Sequence, residues 1–505
     1  MQTITLIRPA EAFIGNSASA NKPVLPIGIA YLASALKNNG YSICMLDAIG
    51  MAPDTVNKHP FRDVSVLGGS NSLITDAVHA ESIFIGISVM FSHNWPNTRE
   101  LIAAIKHKFP KIPIVLGGEF PSSNVKECFE ESEVDVVCIG EGEETILAIA
   151  HALKGEKSLD EVEGVAFRNG QAYQVNPRRK RISNVDEIIW PAWEYFNIEA
   201  YKKLKFGSGL RINSSEGIIP ILATRGCPYS CTFCTSPTMW TTTYITRSPT
   251  DVVDEIAHYA KHYQATNFPF QDLTAILKKQ WIIEFCEVLI RRNLGINWQL
   301  PSGTRSEVID ENVAELLYKS GLKQMGLAVE SGNDEIRKKI KKKVKRDQIY
   351  YNIKSAVKSG LTIQVYFIIG FPGETKPAVR QTLKMMRKVA WMGAQDVGLN
   401  HYMPLAGTEL QNAGENGLIP QEDLYMIPLY GHKIGMDDWR KVNKELSSAY
   451  LTRVVLGGIL TFYCISFFRY PLKFFRFFIG LFSKTDTSRL QVAVKTMFAF
   501  RKKRA

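Results

Sequence analysis

Residues 224–234 read Thr-Arg-Gly-Cys-Pro-Tyr-Ser-Cys-Thr-Phe-Cys, which places three of the chain's eight cysteines, Cys227, Cys231 and Cys234, within eight residues. An apolar segment, residues 217–223, runs straight into them. Thiolates this close together converge on one soft metal centre. A tetrahedral zinc site takes a fourth protein ligand with its own regular spacing, and none is expected to join these three. A four-iron cluster held by three thiolates keeps one iron open, and a small molecule can bind there.

Around that stretch the chain reads as about three domains' length of ordinary globular protein, with 505 residues, 45% hydrophobic and 22% charged. No basic-apolar signal peptide is read at the N-terminus. The other five cysteines, Cys44, Cys128, Cys138, Cys286 and Cys464, follow no pattern. They read as buried thiols in a reducing, cytoplasmic compartment and not as a disulfide framework. The net charge of +12 is concentrated at one end. Residues 453–505 hold eleven Lys and Arg against one acid, Asp486, a net +10, which leaves +2 for everything before them. The basic balance thus describes a tail, and a nucleic-acid partner is not expected.

Residues 1–150 alternate short apolar runs with amphipathic ones: strands are expected at 3–8, 42–46, 83–89, 112–116 and 134–139, helices at 26–38 and 99–108. Continuous apolar strands between helices predict a parallel, doubly wound sheet. Gly117, Gly118, Gly140 and Gly142 fall at strand C-terminal ends, where ligands of such sheets sit. Residues 151–215 read as a connector with a hairpin around Asn169-Gly170, a basic run at 177–181 read as a solvated turn, and Trp190 and Trp193 expected to pack between domains. From 216 to 410 six βα repeats predict a partial TIM-type barrel, whose chemistry gathers at the strand C-terminal ends with the cysteine loop. The basic run 337–346 is read as a solvated helix start. Residues 411–505 form a helical region ending in a Phe-rich tail.

The cysteine trio, with Phe233 before the third, resembles the CxxxCxxC signature of the radical S-adenosylmethionine (SAM) enzymes. The resemblance implies a [4Fe-4S] cluster on Cys227, Cys231 and Cys234, with SAM chelating the open iron and an external one-electron donor driving its cleavage to a 5′-deoxyadenosyl radical. It also implies a partial (βα)6 barrel whose Asp272, Ser302, Arg305, Glu330, Gly370 and Gly373 hold SAM. For Arg305, bidentate binding of the SAM carboxylate and a rim salt bridge both stand open. Residues 26–32, 117–122 and 140–143 resemble the cobalamin-binding domain that precedes the barrel in one radical SAM class, with Gly117, Gly118, Gly140 and Gly142 at the cofactor. There is no DxHxxG motif, and Phe120 follows the two glycines where many relatives have histidine. The resemblance therefore implies cobalamin held without a histidine from this domain; a Rossmann-like domain that has lost the cofactor is the alternative.

The class implied is an enzyme that methylates an unactivated carbon. The alternatives are an oxidative cyclase of the magnesium-protoporphyrin ester cyclase type, a radical SAM enzyme whose first domain binds no cobalamin, and a non-enzymatic cobalamin or metal sensor. Residues 454–468 carry no charge, and ten of the 26 phenylalanines lie beyond Arg453. Fifteen residues fall short of the roughly 20 that span a bilayer. The expectation is an interfacial helix, with Arg501, Lys502, Lys503 and Arg504 adding attraction to anionic lipid on the inner membrane face and a lipophilic small-molecule substrate. A helical cap on the barrel is the other reading.

Overall fold

A computed structural model describes residues 2–14, 23–59, 64–203, 207, 209–210, 217–412, 419–430, 442–483, 485–486 and 488–502. The first sheet has seven strands in the spatial order Ala172–Val175, Val165–Asn169, Val136–Cys138, Ile114–Gly117, Ser82–Ser88, Thr3–Arg8, Ser42–Asp47. The five strands from Ser42–Asp47 to Val136–Cys138 are parallel. Their order reverses between Thr3–Arg8 and Ser82–Ser88, the switch point of a doubly wound sheet. The hairpin expected in the connector forms, and it adds antiparallel strands at the sheet's edge. Apolar strands buried on both faces dictate this architecture: helices Ile27–Asn38 and Glu143–Leu153 pack together on one face, and Trp95–Lys108 covers the other.

The second sheet has six parallel strands in sequence order, Gly217–Ile218, Ala265–Pro269, Asn297–Thr304, Leu322–Glu330, Thr362–Ile369 and Asp396–His401, as the βα rhythm predicts. The first is shorter than expected. Ile219 N and Ile221 N still donate to Asn267 O and Pro269 O at 3.2 and 3.1 Å, but Pro269 has no N–H to return to Ile219, so the regular ladder ends at Ile218 and resumes as a single bridge between Ile221 and Phe270. The outer helices begin on side-chain caps. Ser248 accepts from Asp251 N ahead of Pro249–His262, and Val252, Val253, Ile256 and Tyr259 turn its apolar stripe inward.

One end of the half-barrel is closed by amides. Asn267, Gln299, Gln324 and Gln364, each the third residue of its strand, are buried. Gln299 and Gln324 accept from Leu210 N at 2.8 and 3.1 Å, and Gln299 Nε2 donates to Leu210 O at 2.7 Å. The connector thereby plugs the strand N-terminal end with its backbone polar groups satisfied, and the strand C-terminal end is the one that faces the first domain. Trp193 fills the seam between domains, edge-on to Tyr259, and Ala192 N donates to Ala30 O at 3.1 Å.

The tail departs from expectation. The uncharged run lies inside a 22-residue helix, Ser448–Arg469, because Ser447 caps it well upstream and the helix continues through Arg453. By length and composition this helix is able to cross a membrane, with a mean hydropathy of 1.7. It docks along the barrel edge: Phe462 is wholly buried, Gly458 lies against Leu383, Met386 and Leu399, and the Tyr463 hydroxyl donates to Asp396 Oδ1 at 2.9 Å. The cap reading is therefore realised on one face. The other face, continued by helix Pro471–Leu481, exposes Leu460 (67%), Phe468 (82%), Phe475 (60%) and Phe482 (93%). Cys464 sits exposed on the long helix and Cys44 is half-buried, a correction to the reading of all five scattered cysteines as buried. The side chains of Arg501 and Lys502, and all of Lys503 and Arg504, lie outside the described residues. If the helix is a cap, Phe462→Ala costs about 3–5 kcal/mol through transfer and cavity terms. Phe482→Ala changes stability by less than about 0.5 kcal/mol. Chemical denaturation of the two variants reads this directly.

Candidate cofactor site

The cysteine loop leaves the first barrel strand and is fastened at its root. Asp272 Oδ1 accepts from Thr224 N and from Thr224 Oγ1, both at 2.6 Å, and Oδ2 accepts from Ala223 N at 3.3 Å. Burial pushes the Asp272 carboxyl up to about 6, against those hydrogen bonds. Both oxygens are thus engaged inside the protein, and Asp272 holds the loop. Gly226, with φ +82°, lies so close to Thr243 O that a Cβ would overlap it. That approach lets Thr224–Arg225 pair with Ile245–Thr246 and turns the chain into Cys227.

The three thiols are half-buried and free. Burial raises each, Lys342 draws those of Cys227 and Cys231 back, and Cys231 feels both Cys234 and Cys227, so the trio shares one electrostatic neighbourhood. Among the described residues no three His, Cys, Asp or Glu close on a single-ion position. Three thiols on one loop can each take a separate iron of a cube and leave the fourth open. One His-x3-His pair does follow the cysteines, His258 and His262. Its two rings lie 4.2 Å apart and tilted, with His258 packed against Trp190, and among the described residues no third ligand joins them.

Carboxylates of the first domain grip the loop at both ends. Arg225, two residues before Cys227, donates to Glu143 Oε1 at 2.5 Å and Glu141 Oε1 at 3.2 Å, with its guanidinium 5.0 Å from the Tyr31 ring centre. All three charged groups are buried or nearly so. Burial works against the Arg225 charge, but Glu143 and Glu141 outweigh it and the guanidinium stays protonated; Glu143 is correspondingly held low by Arg225 despite its burial. Beyond Cys234, Thr235 Oγ1 donates to Glu119 Oε1 at 2.8 Å. The basic run 177–181 is not a free turn. Arg181 donates to Glu141 Oε2 at 2.6 Å and to Trp240 O, and Arg178 to Thr238 O at 2.6 Å.

Sequence reasoning missed this grip. The only signals were acidic residues interleaved with Gly140 and Gly142 and an arginine just ahead of the cysteines, and neither has a periodicity.

The residues expected around SAM gather on the same end of the barrel. Arg305, at the end of Asn297–Thr304, lies 3.6 Å from the Tyr229 ring centre, inside the cysteine loop. It donates to Glu307 Oε1 at 2.6 Å and to Lys343 O at 3.1 Å, while its buried Nη1 has no partner. Glu330, with φ +66°, pairs with Lys342 Nζ at 3.2 Å beside Cys231. Lys342 and Arg337 are buried, which corrects the reading of 337–346 as a solvated face; Arg337 Nη1 donates to Ser331 O at 2.6 Å. Ser302 is exposed on its strand. Gly370 N donates to Glu374 Oε2 at 2.5 Å, closing the loop that carries Gly373, and burial pushes the Glu374 carboxyl up to about 7. Phe371 of that loop packs between Phe233 and Tyr402.

In the first domain Gly118, with φ +114°, leaves no room for a Cβ against Val89 O, so its backbone must cross the neighbouring strand end. Leu32 packs against Gly142, Gly140 N donates to Ser122 Oγ at 3.1 Å, and Gly117 closes its strand. The unpartnered Arg305 Nη1 and the clustered thiols fit an adenosyl cofactor that carries a carboxylate, seated on a cluster. The glycine-bordered strand ends fit a ligand laid over the first sheet.

The description of the radical SAM superfamily matches residues 221–386, and that of the B12 binding domain matches residues 15–150. The chain belongs to the radical SAM enzymes that carry a B12-binding domain. Its cofactors are accordingly a [4Fe-4S] cluster, SAM and cobalamin. The chain is 26% identical to cytidylyl-2-hydroxyethylphosphonate methyltransferase of Streptomyces wedmorensis over 84% of each chain. It is 27% identical to the anaerobic magnesium-protoporphyrin IX monomethyl ester cyclase of Rubrivivax gelatinosus, over 76% of this chain and 65% of that one. The radical SAM methyltransferase TsrM from Kitasatospora setae, solved with cobalamin and a [4Fe-4S] cluster, shares the fold at a TM-score of 0.63 and 18% identity, over 82% of this chain and 76% of that one.

If Arg225 is the bond between B12-binding and radical SAM domains, Arg225→Ala strands Glu143 as a buried, unpaired charge and leaves Glu141 with Arg181 alone. The expected loss is about 3–5 kcal/mol, and Arg225→Lys, which keeps the charge but not the fork, loses less. Limited proteolysis of the connector then opens at lower denaturant in the alanine variant.

Proposed function

We propose that this enzyme transfers a methyl group to an unactivated carbon of a lipophilic small molecule. The observation carrying this reading is the cysteine loop held at the barrel mouth by carboxylates from the strand C-terminal ends of the B12-binding domain. On this reading the two cofactors would share one space between the domains. The cluster supplies the electron for SAM cleavage, and cobalamin supplies the methyl group. The protein's own part is to bind, orient and keep out water. Arg305 Nη1 receives the SAM carboxylate, its fork fixed by Glu307 and by the Tyr229 ring. Glu330, Ser302 and the Gly370–Gly373 turn border the rest of SAM, and Asp272 acts through the loop it fastens. Gly117, Gly118, Gly140 and Gly142 would border cobalamin, and Phe120, buried against Trp95 and Tyr425, has no ligating atom to offer it.

The test is to supply SAM labelled in its methyl group to the reconstituted enzyme with cobalamin and a cell lipid extract. A product carrying the label, with 5′-deoxyadenosine and S-adenosylhomocysteine formed together, is the expected result. A product that loses hydrogen without gaining label makes the enzyme a cyclase, the reading that the similarity to the Rubrivivax protein supports. Arg305→Lys is expected to retain iron while weakening SAM about tenfold to a hundredfold, the range for a charged hydrogen bond, as read by equilibrium binding.

The tail belongs to the same proposal. The exposed face of Leu460, Phe468, Phe475 and Phe482 has Arg453, Arg469 and Arg476 on the same two helices, an arrangement suited to an anionic bilayer surface. The full chain is expected to float with vesicles containing anionic lipid at low salt. The Leu460→Ser/Phe475→Ser/Phe482→Ser variant is expected to stay in the dense fraction.

A further inference from the structure

Ser236 stands two residues past the last cluster cysteine and is buried. Its Oγ lies 3.2 Å from Cys234 Sγ and 3.5 Å from Glu119 Oε1. Glu119 belongs to the B12-binding domain and directly follows Gly117-Gly118. Its Oε1 also accepts from Thr235 Oγ1 at 2.8 Å. A thiolate bound to iron has no proton to give. The serine hydroxyl is then a donor shared between Cys234 and Glu119, and it donates to one of them at a time; the Ser236 backbone N–H also reaches the Cys234 sulfur. Thr235 already satisfies the carboxylate at shorter range, so the serine proton is free for sulfur.

We propose that Ser236 donates a hydrogen bond to the cluster ligand Cys234, and that Glu119, on the cobalamin side, sets how fully it does so. Both are positioning residues, acting on the cluster through its sulfur. A hydrogen bond to a cluster thiolate withdraws electron density and raises the reduction potential. An acceptor that competes for the same proton lowers it. The helix Glu119–Ser123 packs on the helix Ser236–Trp240 across the domain boundary. Any shift of the first domain's strand-end loops therefore moves Glu119 against Ser236, and the ease of reducing the cluster follows the state of the B12-binding domain. The inference rests on the cluster reading of Cys227, Cys231 and Cys234.

The experiment is a redox titration of the reconstituted full chain, followed by electron paramagnetic resonance of the reduced cluster, with iron measured on each sample. Ser236→Ala is expected to shift the midpoint potential to more negative values with iron content unchanged, and Ser236→Thr to restore it. Glu119→Gln, which weakens the competing acceptor, is expected to shift the potential to more positive values. That shift should shrink in the Glu119→Gln/Ser236→Ala double variant, because the effect travels through the serine. A cluster present at the wild-type potential in Ser236→Ala overturns the proposal alone. A Glu119→Gln shift that persists at full size without the serine assigns it to through-space charge and overturns the Glu119 part. Wild-type protein that binds no iron removes the cluster reading and this inference together. Should the alanine variant fail to fold, the Glu119→Gln shift decides: a potential unchanged or more negative overturns the relay.

Discussion

Arg225 between Glu143 and Glu141 is the contact on which the arrangement depends. A buried guanidinium is tolerable only with its charge matched, and here both partners come from the other domain. The arginine belongs to the cysteine loop, and the glutamates belong to the turn after the strand Val136–Cys138. Arg181 of the connector also serves Glu141, but Glu143 and Arg225 have each other only when the domains meet. Docking is therefore a condition for burying these charges, and the cluster cysteines are carried to the junction by it.

The rest of the molecule supports that junction from behind. The amide ladder on Leu210 closes the opposite end of the half-barrel, so the strand C-terminal end is left for ligands. Asp272 ties the first strand to the second at the root of the loop. Trp193 fills the seam beneath, between the two sheets' helices. The C-terminal helix fixes the last strand through Tyr463 and Asp396. Most of these contacts satisfy a buried polar group whose exposure inside the protein would otherwise cost about 1–3 kcal/mol. Polar pairing, more than apolar area, thus decides which loops stand opposite each other.

What the sequence makes legible follows from periodicity and from spacing. The six barrel strands and the five parallel strands before them are apolar runs with breakers, and Asp396–His401 lies where the pattern puts it. The cysteines are legible because ligand spacing is local. Side chains that meet from distant segments leave no such trace. The basic runs 177–181 and 337–346 look like solvated charge, yet Arg181, Arg337 and Lys342 are drawn into carboxylates and carbonyls from elsewhere in the fold. The tail misleads in another way. Counting uncharged residues sets its length by Arg453 and Arg469, while the helix is set by the Ser447 cap and the break before Pro471. Pro269 is plain in the sequence, but only the register tells that its missing N–H falls opposite Ile219 and interrupts the first barrel strand.

The central claim is that three thiolates hold a cube whose fourth iron is left for SAM. The Mössbauer spectrum of the iron-57 protein, reconstituted without oxygen and recorded before and after adding SAM, tests it most directly. The account predicts about four irons per chain in one cubane, with a single iron site changing its isomer shift when SAM binds. A protein that takes up zinc in place of iron, or a cube whose four irons ignore SAM, contradicts it.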